Sequence, residues 1–543
     1  MTSSENTSVL VVGGGLVGLS TALLLQYHGI DFVLAERRAH ASVLPRSRGV
    51  HTRTVEIFRQ LGIEERVQQV TASALARGHF GGARLGKTLL ASESLDMGAV
   101  RGGPGGRGAA DSPSGFCFCP QVLLEPALAE VARERGGGLR FGTELTTWTQ
   151  DADGVSATLT DRATGQVSTL RAEYLIAADG AASPIREAAG ITGWTLPPTH
   201  YYLNVFVRAD LTGLIGDRTF SQCEITNDAV RGVILSKNNT DEWSFHLEYD
   251  PERESIDDYS DAGLIDLVHA AIGTDEIPVE ILARSVWDTG VHVADDYRRG
   301  RVLLAGDAAH SHAPWGGFGA NAGIADAHNL IWKLSSVLSG AAAPALLDTY
   351  QPERRPCAVT AAVQARLRTE FHSRYGLATS DNAETLAQQI DSGAIIHRYR
   401  YASAAVISEH TGATVDRFAG QAGTRVPHVW LESEGRQIST LDLCGPGFTI
   451  LTDQDPADWR AAAESAHAAT GLAITVHHLG KNAELTDPHA EWRDRNELPG
   501  GGALLVRPDE HVAARSDEGL TPRNLTTLLE RITGTAAAMG TSV

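Results

Sequence analysis

VLVVGGGLVGLSTALLLQYHGIDFVLAE, residues 9–36, decides the fold. An apolar stretch runs into Gly13-x-Gly15-x-x-Gly18, an apolar helical segment follows, and a second apolar stretch ends on Glu36. This is the layout of a βαβ dinucleotide fingerprint. Gly13 permits the tight turn, Gly15 lets the backbone approach a pyrophosphate, and Gly18 lets helix and strand pack closely. Unpaired N–H groups and the positive end of the helix dipole then face the diphosphate. Glu36 stands about twenty residues past the glycines, where a carboxylate accepts both hydroxyls of an adenosine ribose and disfavours a 2′-phosphate. The dinucleotide is therefore FAD or NAD. A glycine triplet alone reads as a flexible turn; the strand before it, the helix after it and the acid at this distance select the fingerprint.

GRVLLAGDAAH, residues 300–310, bears on that choice. Its apolar run is a short strand closed by Gly306-Asp307, which puts the Asp307 carboxylate at the carboxyl end of a strand, beside the ligand crevice, where it can hold sugar-alcohol hydroxyls. A proline- and glycine-rich loop follows and leads into a helix with Ile324, Leu330, Ile331 and Leu334 on one face. The N-terminus of that helix, at Gly319, Ala320 and Asn321, suits negative charge. A reduced flavin carries such charge in its N1 and C2 carbonyl region.

Four segments together, the fingerprint with Glu36, RSRGVHTRTVEIFRQLG at 46–62, Asp179-Gly180-x-x-Ser183-x-x-Arg186, and Gly306-Asp307 with the 314–321 loop, resemble the flavin-dependent aromatic hydroxylases of the para-hydroxybenzoate hydroxylase class. The resemblance is strongest to the longer members that hydroxylate aromatic polyketides of the anthracycline, angucycline and tetracenomycin types, and it extends over nearly the whole chain. It implies an α/β fold: a Rossmann-like FAD-binding domain (1–190 and 285–410), an inserted antiparallel β-sheet substrate domain (190–285), and a C-terminal thioredoxin-like domain (415–543). It implies FAD as cofactor, NAD(P)H as cosubstrate, O2, and a small aromatic substrate. In the cycle this resemblance implies, NAD(P)H reduces the flavin, oxygen adds at C4a, and the hydroperoxide delivers OH to an electron-rich ring. The same peroxide can perform Baeyer–Villiger insertion or epoxidation.

Site residues follow from the same resemblance. Asp179 and the arginines after the first strand pair, Arg37, Arg46 and Arg48, lie near both dinucleotides. Arg46 and Arg48 are placed to hold the FAD diphosphate or to guide the nicotinamide cofactor, against the alternative of a surface salt bridge. Gln121 opens a helix and is assigned to FAD, with helix capping as the competing reading. Pro314 and its loop line the place where C4a meets substrate. Arg400, in HRYRYASAAV at 397–406, is the candidate for stabilising a phenolate, with a surface ion pair as the alternative. Trp315 departs from the family, which often has a small or polar residue there. That bulk motivates a different class of function, a flavoprotein that sequesters a reactive intermediate without turnover.

Composition excludes other classes. A formal charge of −20 over 543 residues repels nucleic acid and anionic lipid. No apolar run is long enough to span a membrane and the N-terminus lacks a signal-peptide pattern, so a cytoplasmic protein is expected. Five irregularly spaced cysteines make neither a disulfide framework nor a zinc site. His310-x-His312 lacks a third spaced ligand, so no metal is assigned. In 242–249 Trp243, Phe245, Leu247 and Tyr249 alternate with Ser244, His246 and Glu248, and a turn at 238–241 pairs this strand with 233–237. One face of that sheet should cover the substrate. The glycine-rich stretch 102–108, GGPGGRG, is expected to be a mobile lid over the active site or plain surface disorder. The tail has no C-x-x-C, so its expected role is structural or within a homodimer.

Overall fold

A computed structural model describes residues 4–41, 47–74, 82–95, 111–410, 412–481, 483–498 and 501–536. Arg46 and the 102–108 loop lie outside the described residues. The strand Ser4–Val12 is flanked by two parallel neighbours, Phe32–Glu36 and Val167–Ala177. Gly138–Phe141 extends the sheet beyond the former and Val302–Leu304 beyond the latter. Val9, Leu10 and Val11 are fully buried, as a central parallel strand covered on both faces requires. Helices Leu16–Tyr27, Gln121–Glu134 and Phe318–Leu338 cluster against this sheet. The chain leaves Ser4–Val12 for Phe32–Glu36 on one side and returns on the other, so a switch-point crevice opens at the strands' carboxyl ends. Gly13 to Gly15, Ala178 to Gly180 and Ala305 to Asp307 all lie at that edge.

A second sheet runs in the order Glu280–Asp288, Tyr201–Arg208, Glu242–Glu248, Arg231–Ser236, Gln222–Thr226, Ala83–Gly86, Ser92–Ser94. The expected hairpin forms, with Ser236 opposite Trp243. Its aromatic face is core: Trp243, Phe245 and Leu247 pack on Leu264, Val268 and Ile272 of helix Asp261–Ile272, and Trp243 Nε1 donates to Ala209 O at 3.0 Å. The opposite face, which carries His246, turns toward the ligand cavity. The strands Ala83–Gly86 and Ser92–Ser94, inside the stretch read as FAD-binding, extend this sheet instead, the first pairing in parallel with Gln222–Thr226. An edge strand with unpaired amides gains hydrogen bonds from any extended segment brought beside it, whatever its place in the chain.

The C-terminal unit is built on Phe448–Thr452, parallel to Ile474–Gly480 and antiparallel to Ala503–Val506, which pairs with Val512–Arg515. Helices Ala457–Thr470 and Leu525–Thr533 pack on it through Trp459, Ala463, Ala466, Leu525, Leu529 and Ile532. This is the thioredoxin-like arrangement. Among the described residues no helix is long and apolar enough to cross a membrane.

Candidate active site

One cavity of about 1290 Å³ runs from the fingerprint to the polar face of the second sheet. At its first end Gly13 holds φ +111°, and a Cβ there would lie 2.1 Å from Ala178 O. At Gly18 a Cβ would lie 1.9 Å from Gly13 O, so helix Leu16–Tyr27 meets its strand backbone to backbone. That helix begins at Gly15 with no side-chain cap, which leaves its N–H groups facing the cavity. Glu36 lines the cavity; its two oxygens accept from Gly14 N–H at 2.6 Å and Arg38 N–H at 2.8 Å, which fixes the carboxylate at the turn. Gln121 Nε2 donates to Glu125 at 2.6 Å, while its Oε1 accepts from Ser47 N–H at 3.3 Å. It therefore ties the Arg48 segment to the wall. Asp179 Oδ2 accepts from Ile185 N–H at 3.3 Å, whereas Oδ1 is buried without a partner, and burial raises its carboxyl. A buried acceptor left open beside a glycine cradle and an uncapped helix is what a dinucleotide with hydroxyls and a diphosphate fits.

Gly13, Gly15, Glu36, Arg37, Arg48, Gln121, Asp179, Asp307, Pro314, Gly319 and Ala320 all line this cavity. Gly18 does not; it acts through packing. Arg48 is spent on the second sheet, donating to Ser221 O and, at 2.6 Å, to Ser236 O, so it joins the two domains rather than forming a surface salt bridge. Asn321 also lies behind the wall. Its Oδ1 accepts from His51 N–H at 2.8 Å and Thr54 Oγ1–H at 2.6 Å, and its Nδ2 donates to Gly317 O at 2.7 Å. It locks the 316–317 turn that starts helix Phe318–Leu338, another helix without a side-chain cap. The turn bearing Asp307 is fixed by buried Asp326, which accepts from Gly306 N–H at 3.1 Å and Arg354 Nε at 2.7 Å and pairs with His310 Nε2 at 2.7 Å.

Arg400 requires correction. It is not on the cavity wall; its guanidinium donates to Ala422 O at 2.8 Å and Ser408 Oγ at 3.1 Å. His397 and Arg398 of the same segment line the cavity instead. At the far end Arg374 stands on the wall with Arg368 and Arg48. Its guanidinium carbon stands 3.5 Å from the centroid of the Trp315 ring, and it is ion-paired with Glu224. Trp315 is 6% exposed and belongs to an aromatic box: Tyr202 stacks on Trp287 at 4.3 Å, and Trp287 meets Trp315 edge-on at 5.9 Å. The indole bulk is thus taken up by aromatic neighbours.

Two histidines complete the wall. Trp287 Nε1 donates to His246 Nδ1 at 2.8 Å, so the neutral ring carries its proton on Nε2, which is buried and unpartnered. Burial, then Arg48, pulls its pKa down to about 3. His312 has the opposite tautomer: Nδ1–H donates to Ala313 O at 2.8 Å, and Nε2 is a buried acceptor without a partner. Burial holds it near 4, so it is neutral at pH 7. Arg374 carries no local motif; His312 stood out only as half of the His310-x-His312 pair, and the alternation that places His246 opposite Trp243 and Phe245 was the other signal available.

Comparison with known proteins agrees with this geometry. Residues 6–365 match the FAD binding domain family, and 419–536 match the aromatic-ring hydroxylase C-terminal family. The chain is 36% identical to tetracenomycin A2 monooxygenase-dioxygenase from Streptomyces glaucescens over 548 residues, 95% of this chain and 94% of that protein. It is 34% identical to an aklavinone 12-hydroxylase from Streptomyces purpurascens, over 95% of this chain and 96% of that one. It superimposes on aklavinone-11 hydroxylase, solved in a ternary complex with FAD and aklavinone, with a TM-score of 0.86 at 32% identity, covering 98% of this chain and 100% of that one. With a fingerprint, a crevice and a tail that all match, the chain belongs to the FAD-dependent aromatic-ring hydroxylases.

Proposed function

We propose that this chain is a monooxygenase that takes electrons from NAD(P)H and one oxygen atom from O2 to hydroxylate a polycyclic aromatic polyketide. The observation that carries it is the single cavity joining the dinucleotide fingerprint to the Tyr202, Trp287 and Trp315 box. At about 1290 Å³ it exceeds the roughly 300–1000 Å³ of an ordinary small-molecule pocket. It has room for a cofactor and a flat guest together. The relatives that act on tetracenomycin A2 and aklavinone support a fused aromatic substrate.

When bound, FAD supplies the hydride acceptor and the oxygen chemistry. The chain's own residues do the rest. Glu36, the Gly13 turn and the uncapped Leu16–Tyr27 N-terminus would hold the adenosine and diphosphate, and Asp179, with Oδ1 open, would offer an acceptor to a hydroxyl. Asp307, Pro314 and the Phe318–Leu338 N-terminus border the reacting ring system, where the helix dipole favours negative charge. Trp287, Trp315, Val233 and Leu235 present an apolar surface that excludes water. Arg374 favours the ionised form of a phenol held against Trp315, and an ionised phenol is the better nucleophile. Its pairing with Glu224 keeps the guanidinium aimed. Cysteines free of disulfides among the described residues fit a cytoplasmic setting.

The test is NAD(P)H oxidation by FAD-loaded protein with and without a tetracyclic aromatic polyketide. Acceleration by the guest, with a hydroxylated product, is expected. Guest-independent oxidation that yields only hydrogen peroxide would overturn the assignment.

A further inference from the structure

Arg507-Pro508-Asp509-Glu510-His511 links the strands Ala503–Val506 and Val512–Arg515 and has the composition of a solvent turn. Yet Arg507, Asp509, Glu510 and His511 are at most 1% exposed. The turn enters the FAD-binding domain and meets three of its helices. Arg53 of helix Thr52–Gln60 donates to the Glu510 carboxylate and, at 3.1 Å, to Asp509 O; Gln60 of the same helix donates to Pro508 O at 3.0 Å. Asn329 of helix Phe318–Leu338 donates to Asp509 Oδ2 at 3.2 Å, and Arg507 donates to Glu353 of helix Tyr350–Arg366 at 2.6 Å. Glu510 holds φ +62°, a conformation that glycine adopts at less cost. The residue type there serves the carboxylate and not the backbone.

The first two helices begin at the cavity. His51 and Thr52 line it, as do Gly317, Gly319 and Ala320. Between them stands Asn321, bonded to Thr54, His51 and Gly317, and His51 Nε2 donates to Gly316 O at 2.9 Å. Arg53 therefore sits in sequence between a residue of the cavity wall and a residue that fixes it. Arg53 also contacts His328 Nδ1 at 3.2 Å, so the turn, both helices and the wall form one connected network.

We propose that Glu510 and Arg53 are positioning residues through which the C-terminal domain holds the paired N-termini of Thr52–Gln60 and Phe318–Leu338 against the cofactor. This rests on the cavity being the flavin site. Loosening the pair lets the 316–321 wall move, which weakens FAD binding and diverts NAD(P)H electrons to peroxide.

The full-length chain carrying Glu510→Gly, Glu510→Gln or Arg53→Lys tests this by hydrogen exchange, FAD titration and the peroxide-to-product ratio of FAD-loaded enzyme. Glu510→Gly relieves the backbone and leaves Arg53 paired with Glu56 at 3.0 Å, so a purely local role predicts a change in melting temperature alone, with exchange at 51–54 and 316–321 and FAD affinity unchanged. The positioning role predicts exchange at 51–54 and 316–321 faster by about tenfold, FAD affinity weaker by about tenfold, and a higher peroxide share. Glu510→Gln shows the same directions with smaller size and serves should the glycine variant not fold; Arg53→Lys retains part of the wild-type coupling. Wild-type exchange at both segments with wild-type FAD affinity, whatever the melting temperature does, would overturn the proposal. Wild-type protein that takes up no FAD would instead overturn the functional assignment beneath it.

Discussion

Replacing Gly18 by alanine adds one methyl group between the fingerprint helix and its strand. Helix propensity alone favours the change by about 1 kcal/mol. The new Cβ, however, would lie 1.9 Å from Gly13 O and 3.6 Å from Ala178 Cβ. The first neighbour is backbone and has no rotamer to escape into, so the helix must withdraw by about an ångström. Overpacking of this kind costs roughly 1–3 kcal/mol, and here the upper half of that range applies because both sides are rigid. Stability thus falls by about 1–2 kcal/mol after the propensity gain. The larger effect is on the ligand, because the moved helix end carries the diphosphate-facing N–H groups, and an ångström of misplacement costs up to about a hundredfold. FAD titration followed by flavin fluorescence, with denaturant unfolding on the same samples, reads both. Gly29→Ala is the control: Gly29 holds a positive φ of +68°, which helical Gly18 does not, but a Cβ there meets nothing within 4 Å, so the variant loses some stability through its backbone and no FAD affinity. Gly18→Ala protein with wild-type FAD affinity would refute the packing argument.

Arg374→Met removes the cation over Trp315, and the pH at which kcat/KM reaches half its plateau should rise by about one unit or more; Arg374→Lys keeps the charge but not the planar stack and should shift less. An unchanged pH profile in the methionine variant would assign phenolate stabilisation elsewhere. Trp315→Ala takes one wall from the aromatic box and should weaken binding of a fused aromatic guest by about tenfold while leaving FAD affinity unaltered, a difference equilibrium titration resolves. Acid stability has a definite sign. His28, His51, His312, His397 and His428 are pulled down to about 4 by burial and His246 to about 3, so the unfolded chain takes up protons first as pH drops below about 6.5. Their contribution, full above that pH, is lost between about 6.5 and 4. Glu510, pushed up to about 7 by burial, and Asp179 and Glu224, also raised by burial, act in the opposite sense but are three groups against these six. Denaturant unfolding across this range should show falling stability, with a shallower fall in His312→Asn; flat or rising stability would contradict the neutral-histidine assignment.

The fingerprint, the Asp179 and Asp307 turns and the Trp243 hairpin were legible because each is a local pattern of glycine, acid and alternation whose geometry the backbone enforces. Arg400 misled for a related reason. Within one extended segment, side chains two residues apart differ in what they meet, and only the packed structure shows that Arg398 faces the cavity while Arg400 binds Ala422 O. Arg374 has no motif; it becomes informative when Trp315 and Glu224, far apart in sequence, close around it. The 507–511 turn is the extreme case. Its charges predict solvent, and only partners such as Arg53 and Glu353, 457 and 154 residues distant, allow them to be buried. The strand Ala83–Gly86 likewise took one partner from a distant segment. Short-range periodicity cannot report either.

The central claim is that a fingerprint-held flavin and a flat aromatic guest share one cavity so that an atom of O2 is transferred to the guest. Mass spectrometry of product formed by FAD-loaded protein with NAD(P)H, a tetracyclic aromatic polyketide and isotopically labelled oxygen gas tests it most directly. One labelled oxygen atom in the product, with the other in water, is the predicted result. Unlabelled product, or unchanged guest while all consumed NAD(P)H appears as peroxide, would contradict it.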